Sequence, residues 1–570
     1  MNNGNEFLDF ILDPNTIDFI TRRSERLDVI MRRFPGIRLA ETLYGRFVVG
    51  YLPRNLVDTF VRELGAGVLR TAPVVLGLMD KANLESAGIT QVQEQPFLDL
   101  RGRGTIVGIV DTGIDYTNPS FIYEDGTSKI LYIFDQTIND NIPEGFFEGT
   151  EYTNEQINQA LQAPDPYEIV PHRDTVGHGT FLASVAAGRE IGTNIGAAPD
   201  AELIVVKLRK ARSYYLEKYL IPPEQENAFE STSVMIGIEY ILRKATELGR
   251  PVSVCIGLGT NLGGHDGFSV FEEYLSSISN LRGLCLTAAA GNESRARHHT
   301  QGVLENTGDV QSIDIRMGEN AGNVLITIIN SASDRISVSI RSPTGETIGR
   351  VPAKPGSTLQ SRLVLERATV IVEYFFPLEG SGGQETTVKI LNATPGIWTI
   401  NVFGDIVLNG TYHAWLPITG FVSPNVEFLT PTPNYTIVVP ATAVGVITCG
   451  AYNSLNNSLF SDSSWGPTRL PEMSPDLTAP GVNVTGAVPF PAETGVMSGT
   501  SVAAAITAGA GALMLQWGIV EGNDLTIGTY QIKAFLIRGC SRSDNVIYPN
   551  NQWGYGRLNL IQSFNLMREF

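Results

Sequence analysis

Four apolar runs of strand length, Thr105–Val110, Leu203–Leu208, Val252–Leu258 and Leu284–Ala290, lack the polar-apolar alternation of a strand with one wet face. Strands of this kind need cover on both sides, and a parallel sheet between two layers of helices supplies it. One covering helix is legible at Thr232–Ala245, where Val234, Ile238 and Ile241 recur at helical spacing among charged residues. The fold class is therefore α/β, built on a doubly wound parallel sheet.

At 570 residues the chain is too long for one ordinary domain, and its texture changes along its length. Residues 1–95 mix short charged and apolar segments, with helical spacing at Leu27–Arg33 and Leu56–Leu64 and a strand-like Arg46–Tyr51, and read as a small α+β unit. The α/β texture occupies 96–301. From 302 to 425, short alternating segments such as Val324–Ile329, Arg335–Ile340 and Val370–Phe375 are broken by Pro343-Thr-Gly and Lys354-Pro-Gly turns, as in a β-sandwich. Apolar texture resumes over 426–570, with strands expected at Tyr435–Val439 and Val444–Cys449 and a helix rich in Ala and Gly at Thr500–Trp517. The sandwich, expected as a jelly roll, is thus an insertion that divides one core into two segments. Its aromatics, Trp398 and Trp415 among them, suit a packed brace or a face that binds carbohydrate or protein.

The formal net charge of −18 opposes capture of nucleic acid or of an anionic membrane, both negative themselves. No apolar stretch reads as membrane-spanning, and the N-terminus lacks the basic and then apolar segments of a signal peptide, which predicts a protein made in the cytoplasm with no membrane insertion. Cys255, Cys285, Cys449 and Cys540 are few for this length and are expected as free thiols.

The chemistry-bearing residues sit in four short segments. Asp111 ends an apolar strand and opens an Asp-Thr-Gly turn, which places its carboxylate at the sheet edge where open α/β folds bind ligands. Asp-Thr-Gly also marks aspartic proteases, but those need two copies to share a proton and this chain has one. His178, in Gly177-His-Gly-Thr180, opens a helix of small residues. Ser501 follows Met497-Ser-Gly-Thr into the Ala-rich helix, where its backbone N–H has no partner within the helix. Asn292, in Ala289-Ala-Gly-Asn, follows a strand and offers a side-chain donor. Taken singly, each segment suits a turn or a cap. Together, in the order Asp…His…Ser and without a Gly-x-Ser-x-Gly elbow, they match the subtilisin order and neither the chymotrypsin nor the α/β-hydrolase order.

From about Gly104 onward, insertion apart, the sequence resembles the subtilase family in Ile109–Asp115, Gly177–Thr180, Ala289–Asn292 and Ser498–Ser501, with further matches at Gly196–Pro199 and Leu477–Gly481. The resemblance implies a serine endopeptidase that needs no cofactor. Ser501 would attack the peptide carbonyl, His178 would take and return the proton, Asp111 would orient the imidazole, and the Ser501 N–H and Asn292 amide would receive the oxyanion. A protein substrate would pair its main chain with Lys207-Leu208-Arg209 and with Gly257-Leu258-Gly259, and Ala289, Ala290 and Gly291 would wall the S1 pocket.

Residues 1–95 resemble a subtilase propeptide, which binds its own enzyme; cleavage is expected among Gln91, Val92, Gln93, Glu94 and Gln95. Arg189–Gly196, where many subtilases build a calcium loop, is poor in oxygen side chains, so no metal is expected. After Ser501 the family's Met-Ala-Ser-Pro-His becomes Val502-Ala-Ala-Ala-Ile506, a change in packing rather than in the nucleophile. In architecture the chain is similar to the Csp germination proteases, which implies association with the spore and limited proteolysis of a cortex-lytic precursor. A catalytically silent scaffold of the same group is the alternative, and it predicts a replaced Asp, His or Ser where this chain has all three.

Overall fold

A computed structural model of the chain describes residues 2–64, 72–78, 85–95, 98–191, 195–378, 380–469 and 472–567. The four apolar runs become four adjacent strands at the centre of the largest sheet, in the spatial order Leu284–Ala289, Val252–Ile256, Ile106–Asp111, Glu202–Lys207. All are parallel, with Cys255 opposite Ile109 and Asp111 opposite Lys207, so their carboxyl ends reach one edge together. Ile130–Asp135 continues the parallel set on one side, and Ile447–Asn453 with Leu477–Pro480 on the other. Tyr435–Val439 forms no strand; only Val439 bridges to Thr260.

The helix Ser231–Glu247 covers one face, with the Ile241 side chain lying where a Cβ on Gly108 would be. On the other face lie His178–Ala187 and Thr500–Leu515. Every residue of Thr500–Leu515 is buried. It sits this deep because its side chains are small: a Cβ on Gly509 would fall 2.4 Å from Ala197 Cβ and 2.7 Å from the Ala186 carbonyl oxygen. Contrary to expectation, Thr500–Val520 is long and apolar enough to cross a membrane, but 89% of that window is buried inside the protein. It is the core helix. All four cysteines are buried and free.

The insertion is a sandwich of a six-stranded and a five-stranded sheet, both antiparallel, closed over Ile326, Ile328, Val338, Trp398 and Ile400. Its strands run from His299 to Phe428, so it starts before 302 and ends after 425. The N-terminal unit lays the strands Thr16–Arg22, Phe47–Pro53 and Arg38–Leu43 against the catalytic core, where Phe47 and Tyr51 share a cluster with Tyr274 and Val234. Buried charges cross that contact: Arg212 lies 3.1 Å from Asp18 and 2.8 Å from Glu230.

Residues 85–95 do not belong to this unit. Ala87, Ile89 and Val92 are in the catalytic core cluster, and Gln93 donates to the carbonyls of Gly196 and Ala197. Residues 85–95, expected in the N-terminal unit, thus pack on the catalytic core.

Gly509→Ala is expected to cost about 1–3 kcal/mol of stability by overpacking the Ala197 contact, because backbone cannot move aside as a side chain can. Urea denaturation of variant and wild type checks this.

Candidate active site

The Asp111 turn and the His178 helix meet at the sheet's carboxyl edge. Gly177 begins the helix at φ +89°, a left-handed conformation suited to glycine. A Cβ on Gly179 would lie 2.2 Å from the Gly113 carbonyl oxygen, so only a residue without one lets helix and turn touch. Gly179 donates its N–H to Thr112 Oγ1 at 3.0 Å, and Asp115 donates its N–H to Thr180 Oγ1 at 2.8 Å.

Asp174 completes the start of the helix by accepting the N–H groups of Gly177 and Thr180 and the Thr180 hydroxyl. Burial alone would raise its pKa, but these donors hold it below the ordinary carboxylate value. Sequence reading missed Asp174. The signal was an acidic residue just ahead of a helix start.

Three side chains distant in sequence converge there. His178 Nδ1 lies 2.8 Å from Asp111 Oδ1, and His178 Nε2 lies 3.2 Å from Ser501 Oγ. Asp111 and Ser501 are fully buried. Ser501 is the second residue of its helix, so its N–H is one that the helix leaves unpaired. Across the cleft, Asn292 Oδ1 accepts from the N–H and the hydroxyl of Thr500, at 3.2 and 3.1 Å, which leaves Nδ2 as the donor end of the amide. Thr500 Oγ1 also accepts the Gly291 N–H at 3.1 Å. Thr500, also missed, thus orients the amide from the position next to Ser501. Beneath the triad, burial and the charge of Asp111 push the Cys255 thiol far up, so it stays protonated and unreactive.

A hydroxyl, an imidazole and a carboxylate in line, with two N–H donors beside the hydroxyl, form the machinery of acyl transfer. The model of the subtilase family, Peptidase_S8, matches residues 102–355 and 425–556, more than half of the chain and both halves of the core. The chain belongs to the subtilase family.

This subtilase is similar in structure to the CspB protease of Clostridium perfringens: TM-score 0.76 and 31% identity, covering 85% of this chain and 98% of that one. The likeness to Csp proteases expected from architecture is therefore observed. Among curated proteins it is similar to the PIII-type proteinase of Lactococcus lactis subsp. cremoris (strain SK11), 21% identical over 461 residues, covering 73% of this chain and 22% of that protein. The subtilisin-like protease SBT1.9 of Arabidopsis thaliana is 30% identical over 128 residues, 19% of this chain and 16% of that protein. The chain spans about a fifth of the length of these curated relatives.

Two expectations need correction. Lys207, Leu208 and Arg209 do not line the groove: Lys207 is paired inside the central sheet, Leu208 is buried and donates its N–H to the Asp111 carbonyl, and Arg209 lies 3.3 Å from both Glu148 and Glu230. A short strand, Phe229–Glu230, precedes the covering helix Ser231–Glu247. Between it and Leu258–Gly259 lies Val75–Leu78, antiparallel to both, with Leu78 opposite Leu258, Gly77 opposite Gly259 and Leu76 opposite Phe229.

The segment Gln91, Val92, Gln93, Glu94 and Gln95 is not at the triad either. Ile89–Glu94 is helical with Val92 and Gln93 buried, and the Ala197 carbonyl that Gln93 meets belongs to the residue packed on Gly509. Gly509 lies eight residues along its helix from Ser501, about 12 Å away at the helical rise.

Ala289, Ala290 and Gly291 lead into Asn292 as the end of a buried strand and its turn. Among the described residues no group of three His, Cys, Asp or Glu side chains could hold a metal; Gly192, Thr193 and Asn194 of the expected calcium-loop segment lie outside the described residues.

Asn292→Ala is expected to lower kcat by about 10²–10³, the loss seen when one oxyanion donor is removed, with KM little changed. Thr500→Val, which keeps the donor but releases its orientation, should lie between that variant and wild type in steady-state assays on a peptide substrate.

Proposed function

We propose that this subtilase processes itself within residues 79–84 and then cuts a protein precursor by limited proteolysis, the cortex-lytic zymogen of a germinating spore being the substrate its Csp-like architecture favours. The observation that carries self-processing is the register of Val75–Leu78. With Gly77 opposite Gly259 and Leu78 opposite Leu258, the described strand ends beside the groove residue next to Gly257, where a Cβ would lie 3.3 Å from His178 Cε1 and 3.4 Å from Asp111 Oδ2. The N-terminal unit thus lays Val75–Leu78 as a strand between Phe229–Glu230 and Leu258–Gly259, which supports this reading because main-chain pairing of this kind gives affinity and side-chain pockets give choice.

His178 Nε2 takes the Ser501 proton as Oγ attacks the scissile carbonyl, and the Asp111 carboxylate holds Nδ1–H and stabilises the imidazolium. The oxyanion takes hydrogen bonds from the Ser501 N–H and Asn292 Nδ2. His178 then protonates the leaving amine, and water repeats the sequence on the acyl-enzyme. Ala289, Ala290 and Gly291 wall the pocket for the residue whose carbonyl is attacked.

Purified wild type is expected as two fragments, the larger beginning at a residue from 80 to 85, and Ser501→Ala as one intact chain. Intact mass spectrometry decides, and a cut among Gln91–Gln95 would contradict the register argument.

After cleavage the N-terminal fragment stays held through the buried charges at its interface. Burial, then the neighbouring Glu148 carboxylate, raise Glu41 to about 8, and burial followed by Asp18 raises Glu230 to about 7. Docking therefore takes up protons. Its strength is full below the ordinary glutamate pKa and falls as pH rises through about 7 to 8. Gel filtration of processed protein from pH 5.5 to 9 should show co-elution at the acid end and separation at the alkaline end, and Glu41→Gln should flatten that dependence.

A further inference from the structure

We propose that His172 and Asp135 form a positioning pair that holds the Asp111 turn where its carboxylate meets His178. The proposal rests on reading Asp111, His178 and Ser501 as the triad. His172 lies in the loop before the His178 helix, Asp135 ends the strand Ile130–Asp135, and both are fully buried. Nδ1 of His172 is 2.6 Å from Asp135 Oδ2, and on the far side of the ring the Ile114 backbone N–H donates to Nε2 at 3.1 Å.

An amide N–H can only donate, so Nε2 carries no proton, Nδ1 carries it, and Asp135 accepts it. Both ring nitrogens are thereby engaged, which gives this histidine a structural task distinct from that of His178. Burial pushes the Asp135 carboxyl up, but the hydrogen bond and electrostatic interaction with His172, the hydrogen bond from Thr137 and the charge of Lys207 outweigh it and hold the group below its ordinary value.

The ring also supports the turn directly. A Cβ on Gly113 would fall 2.9 Å from His172 Cε1. Ile114 is three residues past Asp111, and between them Thr112 accepts the N–H of Gly179 in the His178 helix. The opposite tautomer would set two N–H donors face to face and lift the turn away from that helix.

Asp135→Asn makes this testable without changing size. Thr137 donates its N–H at 2.8 Å and its hydroxyl at 2.5 Å to Asp135 Oδ1. An asparagine there keeps its carbonyl oxygen on Thr137 and turns its NH₂ toward His172, which reverses the tautomer. The readout is the rate at which a fluorophosphonate probe labels Ser501, with melting temperature and near-ultraviolet circular dichroism recorded for every variant. Asp135→Asn is expected to slow labelling about tenfold or more, the scale of a misplaced hydrogen-bonding group.

In a His172→Phe background, whose ring has no nitrogen for residue 135 to orient, Asp135→Asn should add less than about a twofold effect. Independently of Asp135, His172→Phe keeps the bulk but has no acceptor and should slow labelling as Asp135→Asn does, while His172→Gln stays near wild type. The pair is overturned if Asp135→Asn labels at the wild-type rate, if its effect is equal in both backgrounds, or if His172→Phe and His172→Gln label alike. Wild type that takes no label would remove the triad reading itself, and the pair with it.

Discussion

The contact between Gly179 and the Gly113 carbonyl oxygen brings the His178 helix and the Asp111 turn together, and the geometry of the site follows from it. With a Cβ at 2.2 Å from that oxygen the two could not touch, and an imidazole 2.8 Å from a carboxylate would become two groups on separate elements. Around the contact the protein places only small residues and backbone donors. Gly177 turns the chain, Asp174 gathers the first N–H groups of the helix, and Thr112 and Thr180 bond across the junction. Such mutual packing costs conformational freedom, and the buried parallel sheet beneath it supplies the rigidity that makes the cost bearable.

The inserted sandwich acts on the same site from the other side. Glu293, next to Asn292, accepts from the Thr419 N–H at 3.0 Å and from His298 Nδ1 at 2.9 Å, so both ends of the insertion are tied to the residue behind the oxyanion donor. Trp415 stacks on His265, and burial lowers His265 to about 4, keeping that ring neutral in the junction. Trp398 and Tyr374 are enclosed in the sandwich core. These contacts tie the insertion to the oxyanion side of the cleft.

The N-terminal unit gives the groove its occupant. Its last described strand lies between Leu258–Gly259 and Phe229–Glu230 and completes a three-stranded sheet that neither edge could form alone. The ion cluster of Asp18, Arg212 and Glu230 ties the unit to the residue that forms one of those edges, so docking of the unit and shaping of the groove are coupled through Glu230.

The sequence by itself pointed to the parallel core, because apolar runs of strand length without alternation suit a sheet covered on both faces, and it singled out Asp111, His178, Ser501 and Asn292, because turn glycines and small helix-opening residues surround each of them. It also marked the change to short alternating segments in the stretch where the sandwich strands lie. Tertiary structure alone decided which edge pairs with Val75–Leu78 and that residues 85–95 pack on the catalytic core. Lys207–Arg209 and Phe229–Glu230 are both short segments at strand or helix ends, and only pairing across space distinguishes a strand already satisfied on both sides from one with an edge to offer. Likewise Gln91–Gln95 reads locally like a tail, yet its apolar face belongs to a core assembled from residues a hundred and more positions away. Local composition fixes what a segment can become; the partners that decide what it does become are distant in sequence and meet it only in the folded chain.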